Sequence, residues 1–103
     1  PSSAAGDMSG ISDEYLEKLK LVLDNDPAAR VEVTGHTDIT GTTSFNKELG
    51  LKRAEFVKSY LVNAGIKAEQ IMTSSKGPSE PVASNSTPEG RAANRRSEIK
   101  VII

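Results

Sequence analysis

The stretch that decides the fold lies between residues 31 and 54 and reads VEVTGHTDITGTTSFNKELGLKRA. It begins with valines at alternate positions, which is the period of a half-buried strand. Two glycines, Gly35 and Gly41, then bracket a loop, and a helical pattern follows. The carboxylate of Asp38 therefore lies just past the end of a predicted strand, where α/β folds commonly place ligand-binding groups.

The helix after this loop is predicted from about 44 to 63 and carries Arg53. Arginine differs from lysine because its planar fork can hold both oxygens of a carboxylate at once. An acid that takes an ammonium and an arginine that takes a carboxylate would together hold a small zwitterion. Position alone leaves simpler readings open, since Asp38 can cap a turn and Arg53 can form an ordinary surface salt bridge.

Other residues of the same stretch could complete such a site. Asn46, in the first turn of the helix, offers an amide that could bridge a ligand and the loop backbone, or serve as a local cap. Thr37 and the backbone N–H groups at the helix start could help to receive an anionic group. The apolar residues expected to face inward from this helix are Phe45, Leu49, Ala54, Val57 and Leu61.

A second basic cluster lies near the C-terminus and consists of Arg91, Arg95 and Arg96. Arg95 or Arg96 could line the same pocket and add positive potential there. Neighbouring strand residues point to opposite faces, so we expect at most one of the two to reach it. In the alternative reading, these arginines anchor a long loop through salt bridges and carbonyl bonds.

Composition narrows the class of protein. The chain has 103 residues, a formal net charge of −1 and no cysteine, which fits one small globular domain and excludes disulfides and thiolate metal sites. The near-neutral charge argues against a general nucleic-acid binder. The apolar runs are far shorter than the ~20 residues of a membrane helix. We expect no metal at His36, the single histidine, because no set of partner ligands accompanies it.

The remaining elements follow from periodicity and turn signals. We predict a loose segment over 1–11, a helix over 12–25 with Ser12 as its N-cap, a weak strand over 70–74, and a C-terminal strand over 97–103. The proline- and glycine-rich segment in between reads as a long ordered loop. The fold class expected is α+β, with a mixed β-sheet packed on one face by two main helices.

These motifs, from Gly35-His36-Thr37-Asp38 through Arg53-Ala54 to Asn94-Arg95-Arg96, closely resemble the OmpA-like C-terminal peptidoglycan-binding domain over residues 12–103. The resemblance implies a βαβαβ arrangement and a periplasmic module that anchors an outer-membrane or envelope protein to the cell wall. It further implies that Asp38 and Arg53 grip the free end of diaminopimelate in the peptidoglycan stem peptide. The implied partner is peptidoglycan, with no cofactor, no nucleic acid and no membrane insertion by this segment.

The sequence departs from the family pattern in several places. Gly50 stands where the family usually has serine, Ser75 where it often has glycine, and Ser97 where it commonly has valine. The family also opens with an apolar strand before the first helix, and residues 1–10 offer no convincing match to it. The first strand of the arrangement could therefore be missing.

Two other classes of function are alternatives to noncovalent wall binding. A hydrolase could use Asp38 as its base, but the sequence offers no second carboxylate and no nucleophile with a histidine partner at a sensible position. A protein or nucleic-acid interaction module could use the arginine-rich segment 91–100, which the net charge disfavours. We therefore expect a binding module and not an enzyme.

Overall fold

The computed structural model describes residues 11–103. Its elements are α1 (Asp13–Asn25), β1 (Arg30–His36), α2 (Thr43–Asn63), a 3-10 turn (Ala68–Gln70), β2 (Ile71–Gly77), α3 (Pro88–Asn94) and β3 (Arg96–Ile102). Within the described residues the sheet has the order β2-β1-β3, and β1 runs parallel to β2 and antiparallel to β3. The predicted α+β fold with a mixed sheet is confirmed.

The predicted loose segment over residues 1–11 lies outside the described residues except for Ile11, which packs against the core. The first described helix begins where the sequence indicated, because the hydroxyl of Ser12 accepts a hydrogen bond from the backbone N–H of Tyr15 at 3.1 Å. None of the helices in residues 11–103 has the length and apolar character needed to cross a membrane.

One face of the sheet carries the core. Val31 and Val33 alternate along β1 and are fully buried, and their antiparallel partners Val101 and Ile99 lie on the same face. Against this face pack apolar side chains of both long helices, namely Leu16, Leu19 and Leu23 from α1 and Ala54, Val57 and Leu61 from α2. The opposite face is largely polar, with Glu32 paired to Lys100 across the strands. Both predicted main helices thus cover a single face.

The prediction that Phe45 faces inward is wrong, because 58% of its surface is exposed. The buried stripe of α2 passes through the polar Asn46 and then through Gly50 and Arg53. Phe45 is offset from that stripe by about 100° around the helix. It therefore borders the loop before α2 and not the core.

Helix α2 approaches the sheet most closely where two glycines face each other. A Cβ atom on Gly35 would collide with the backbone carbonyl of Gly50, and a Cβ atom on Gly50 would collide with the Ser75 hydroxyl. Two departures from the family pattern, Gly50 and Ser75, are therefore neighbours in space.

The prediction of a loop through residues 76–94 is wrong at both ends, because Lys76 and Gly77 belong to β2 and the last seven residues form α3. Thr87 caps this helix by accepting from Gly90 N–H at 3.0 Å, and Pro88 occupies the first turn. The fully buried Asn94 fixes the segment before it, since its Oδ1 accepts from the N–H groups of Val82 and Ala83 at 2.8 and 3.0 Å. A side chain distant in sequence thus orders this segment.

Candidate functional site: a cavity between the β1–α2 loop and α3

A cavity of about 370 Å³ opens beyond the end of β1. One side, called here the loop side, consists of Thr37, Asp38, Thr40, Phe45, Asn46 and Leu49. The other, called the α3 side, consists of Pro88, Arg91 and Arg95. The volume is in the range of small-ligand pockets. Most of the predicted site residues are therefore brought together.

The carboxylate of Asp38 is the acidic group among the described residues of this lining, and it is 7% exposed. Its Oδ1 accepts from the backbone N–H of Thr40 at 2.8 Å, and its Oδ2 accepts from Nη1 of Arg95 at 2.6 Å. Burial alone raises the pKa of Asp38, but these bonds and the charge of Arg95 outweigh it and bring the pKa below 3.8. The group is therefore an anion at neutral pH.

Thr37, another residue of the cavity lining, has a buried hydroxyl. The residue is 3% exposed, and its Oγ1 makes no hydrogen bond with the part of the chain from 11 to 103. Its backbone N–H donates to the carbonyl of Gly77 at 2.9 Å, which ties the loop to the end of β2. A buried hydroxyl without a partner costs about 1–3 kcal/mol. A hydrogen-bond partner for this hydroxyl would relieve that cost.

Asn46 holds the loop that presents Asp38. It is 2% exposed, and its Nδ2 donates to the carbonyl of Thr40 at 2.9 Å. The N–H of Thr40 in turn supports Asp38, so the amide, the loop backbone and the carboxylate form one connected unit. Leu49 and the exposed ring of Phe45 give this side of the cavity its apolar surface.

Arg53 lies on the buried stripe of α2 and is 5% exposed, and it is not among the described residues that line the cavity. Burial lowers the pKa of Arg53, the nearby charge of Arg95 lowers it further, and the charge of Asp38 opposes both. A guanidinium stays protonated in proteins despite such shifts. Arg53 thus adds positive potential beside Asp38 and Arg95 without forming the cavity surface.

The consecutive arginines Arg95 and Arg96 have separate roles. Arg95 lines the cavity, whereas Nε of Arg96 donates to Oε2 of Glu98 at 2.8 Å and its Nη2 donates to the carbonyl of Glu80 at 3.0 Å. Arg96 pairs with His36 across β1 and β3, and Glu98 lies two residues further along the same face. The structure therefore puts Arg96 on the sheet face away from the cavity.

His36 is 1% exposed, and its Nε2 lies 3.3 Å from Oε1 of Glu98. Burial, together with the charge of Arg96, lowers the pKa of His36 below 6.5 even though Glu98 and Glu80 raise it. The imidazole is therefore neutral at physiological pH. The group formed by His36, Arg96 and Glu98 is called the outer cluster below, and it is separate from Asp38.

Comparison with known proteins assigns this chain to a family. The model of the OmpA family matches residues 7–95. The chain belongs to the OmpA family. The resemblance inferred from the sequence motifs is confirmed.

Individual relatives support the assignment to the OmpA family. The chain is 46% identical over 88 residues to the peptidoglycan-binding protein ArfA of Mycobacterium tuberculosis, which covers 85% of this chain and 27% of ArfA. The peptidoglycan-associated lipoprotein of Burkholderia pseudomallei has a TM-score of 0.77 at 30% identity, covering 94% of this chain and 86% of that one. The C-terminal domain of Helicobacter pylori MotB has a TM-score of 0.78 at 26% identity, covering 100% and 80%. The chain thus spans about a quarter of ArfA.

Sequence reasoning missed four cavity residues of this OmpA-family domain: Thr40, Phe45, Pro88 and Arg91 as a lining residue. Thr40 follows Asp38 by two positions, the spacing at which an aspartate accepts from a nearby backbone N–H, so a local signal existed. Pro88 after Thr87 is the pattern of a helix start. Arg91, whose Nη1 donates to the carbonyl of Asn85 at 3.0 Å, had no local signal pointing to the cavity.

Proposed function

We propose that this OmpA-family domain binds peptidoglycan noncovalently, through the diaminopimelate residue of the stem peptide, and anchors an outer-membrane or envelope protein to the cell wall. Its relatives include a peptidoglycan-binding protein and a peptidoglycan-associated lipoprotein. A periplasmic location follows from this proposal, because peptidoglycan lies in that compartment. The anchoring of a larger outer-membrane or envelope protein is also part of the proposal, because the chain matches only part of ArfA.

The observation that carries the proposal is that Asp38, Thr37 and Arg95 line one cavity. The carboxylate of Asp38 is ionised, and the buried hydroxyl of Thr37 makes no hydrogen bond with residues 11–103. The free end of diaminopimelate carries an ammonium and a carboxylate on one carbon. In the proposed complex Asp38 receives the ammonium and Arg53 supplies the positive charge that holds the carboxylate. The charge-assisted hydrogen bond between Asp38 and the ammonium would contribute about 1.5–3 kcal/mol.

The other predicted residues take orienting roles in the proposed complex. Thr37 donates its hydroxyl to the ligand, Asn46 keeps the loop in place, and Leu49 contacts the methylene chain of diaminopimelate. Arg95 lies against Asp38 in the cavity, whereas Arg96 bonds to Glu98 on the other face. Of these two arginines we therefore assign only Arg95 to ligand binding.

The electrostatics of Asp38 favour binding over catalysis. A general base works best when its pKa lies near the operating pH, whereas the pKa of Asp38 is lowered by the Thr40 amide and Arg95 despite its burial. His36 belongs to the outer cluster and so does not serve as the proton partner of Asp38. Retention on the wall would come from the many copies of the ligand that a polymer presents.

Calorimetric titration of the chain with a diaminopimelate-containing muropeptide tests this proposal. We expect Arg53→Ala to weaken binding roughly ten- to a thousandfold, about 1.4–4 kcal/mol. Lys52→Ala is the matched control, because it removes a neighbouring exposed cation from the same helix. Thermal unfolding of each variant identifies any loss due to misfolding. Equal affinities for the parent chain and a folded Arg53→Ala variant would refute the assignment of Arg53.

A further inference from the structure

The cavity carries more positive than negative charge. Among its described lining residues, Arg91 and Arg95 are cationic and Asp38 is anionic, and Arg53 adds a third cation close by. The ion pair between Arg95 and Asp38 neutralises one charge of each sign. The described lining and Arg53 together carry three positive charges and one negative charge, so the cavity favours a ligand that brings net negative charge.

The Arg95–Asp38 ion pair is affected when a ligand ammonium binds in this positively charged cavity. Asp38 already uses Oδ1 for Thr40 N–H and Oδ2 for Arg95. A ligand ammonium that reaches Asp38 therefore shares the carboxylate with Arg95 or displaces Arg95 from it. The Arg95 side chain is only 20% exposed, so it would be left near two other cations, the ammonium and Arg53, with reduced access to its anion.

Like charges confined in a partly buried site repel each other strongly. The charge of Arg95 already lowers the pKa of the buried Arg53, which indicates that the two guanidinium groups are close enough to interact. The carboxylate on the ammonium-bearing carbon offsets one of these cations. A second carboxylate on the ligand would offset the other.

We infer that Arg95 is a specificity-determining residue, which leaves Asp38 when the ligand ammonium arrives and binds a second carboxylate of the same ligand. This inference rests on the proposed function. The preferred ligand is then a stem peptide in which diaminopimelate is the last residue, so that both of its carboxyl groups are free. A peptide with that second carboxyl group blocked binds more weakly.

Two synthetic peptides of equal length test the inference by calorimetry. Both are L-Ala-γ-D-Glu-meso-diaminopimelate; one has both diaminopimelate carboxyl groups free, and the other has an amide at the carboxyl group remote from the free ammonium. We expect the parent chain to prefer the free acid roughly five- to fiftyfold, as for one charge-assisted hydrogen bond at a partly exposed group.

Three variants separate this role of Arg95 from a structural one. Arg95→Gln abolishes the preference, because glutamine has no charge with which to hold the second carboxylate. Arg95→Lys restores part of the preference, because it keeps the charge. Arg96→Gln is the matched control, since its neighbouring arginine bonds to Glu98 on the other face, and it retains the full preference.

The outcomes distinguish this inference from the proposed function. If the parent chain binds both peptides equally, or if Arg95→Gln keeps the preference, the role of Arg95 is overturned while diaminopimelate binding stands. If neither peptide binds, the proposed function fails and this inference fails with it. A preference lost in Arg95→Gln and retained in Arg96→Gln supports the inference.

Discussion

The chain forms two carboxylate–arginine pairs from consecutive arginines, and the two pairs differ in their surroundings. Arg95 meets Asp38 inside the cavity, where the side chains are 20% and 9% exposed. Arg96 meets Glu98 in the outer cluster, where the carboxylate is 53% exposed. Water screens the second pair far more than the first. In the proposed function the first pair lies at the ligand, whereas the second pair gives only modest surface stabilisation.

Exchange of each carboxylate for its amide gives the largest contrast between these pairs. We expect Asp38→Asn to weaken muropeptide binding roughly ten- to a thousandfold, because it removes the anion that receives the ammonium. Glu98→Gln should change affinity less than about twofold, because Glu98 lies on the opposite face. Calorimetry with both variants measures the difference. Equal losses would mean that the cavity is not the binding site.

The next contrast concerns the α3 side of the cavity, which Asn94 keeps in place. Its side chain accepts two backbone N–H groups and donates to Ala83 O and Asn85 Oδ1 at 3.0 and 2.8 Å. Asn94→Ala should lower the free energy of unfolding by about 1–3 kcal/mol and weaken muropeptide binding through displacement of Arg91 and Arg95.

Urea unfolding and calorimetry measure these two effects of Asn94→Ala. Asn63→Ala is the control, since Asn63 is exposed at the end of α2. Unchanged affinity in a destabilised Asn94→Ala variant would show that the α3 side does not contribute to binding.

The outer cluster should respond to pH where the cavity does not. Burial and Arg96 lower the pKa of His36, so the unfolded chain binds a proton near pH 6.5 and the folded chain only at lower pH. Stability is therefore fully present above pH 6.5 and falls as the pH is lowered towards 5. Asp38, whose pKa lies below 3.8, stays ionised throughout this window.

Urea midpoints at pH 5 and pH 7.5 test this prediction for the parent chain and for His36→Gln. The slope against pH should be smaller in the variant, whatever its absolute stability, because the other titrating groups are common to both chains. Muropeptide affinity should change little over the same range. Identical slopes would show that His36 does not contribute to the pH dependence of stability.

The smallest expected effect concerns the outer ion pair itself. Removal of the guanidinium in Arg96→Ala should cost at most about 1 kcal/mol of unfolding free energy through this pair, because exposed pairs are screened by water. Loss of its bond to the Glu80 carbonyl adds to that figure. Urea unfolding at low and high salt measures the electrostatic share, which should shrink as salt is added. A cost independent of salt would assign the effect to packing.

Much of the fold could be predicted because its signals are local. Alternating valines predicted β1, Ser12 predicted the start of α1, and the predicted end of α2 at about residue 63 matches its observed end at Asn63. The loop that carries Asp38 was also visible, because glycines and a strand end are read from neighbouring residues. These elements are set by short-range periodicity and capping.

The parts that could not be predicted depend on contacts between distant residues. Arg95 and Asp38 are 57 positions apart, and no local pattern announces their ion pair. The burial of Arg53 follows from the close approach of α2 to β1 at Gly35. The helix after Thr87 had a local signal, but the prolines and glycines around it favoured a loop. The side-chain hydrogen bonds of Asn94 to distant backbone groups hold the segment before that helix in place.

Comparison of two muropeptides tests the central claim most directly. One contains meso-diaminopimelate and the other contains lysine, which has the same ammonium and lacks the carboxylate beside it. Calorimetric titration of the parent chain should show at least about tenfold tighter binding of the diaminopimelate peptide, the loss expected for one charge-assisted hydrogen bond. Equal affinity for the two peptides would contradict recognition of the zwitterionic end of diaminopimelate in this cavity.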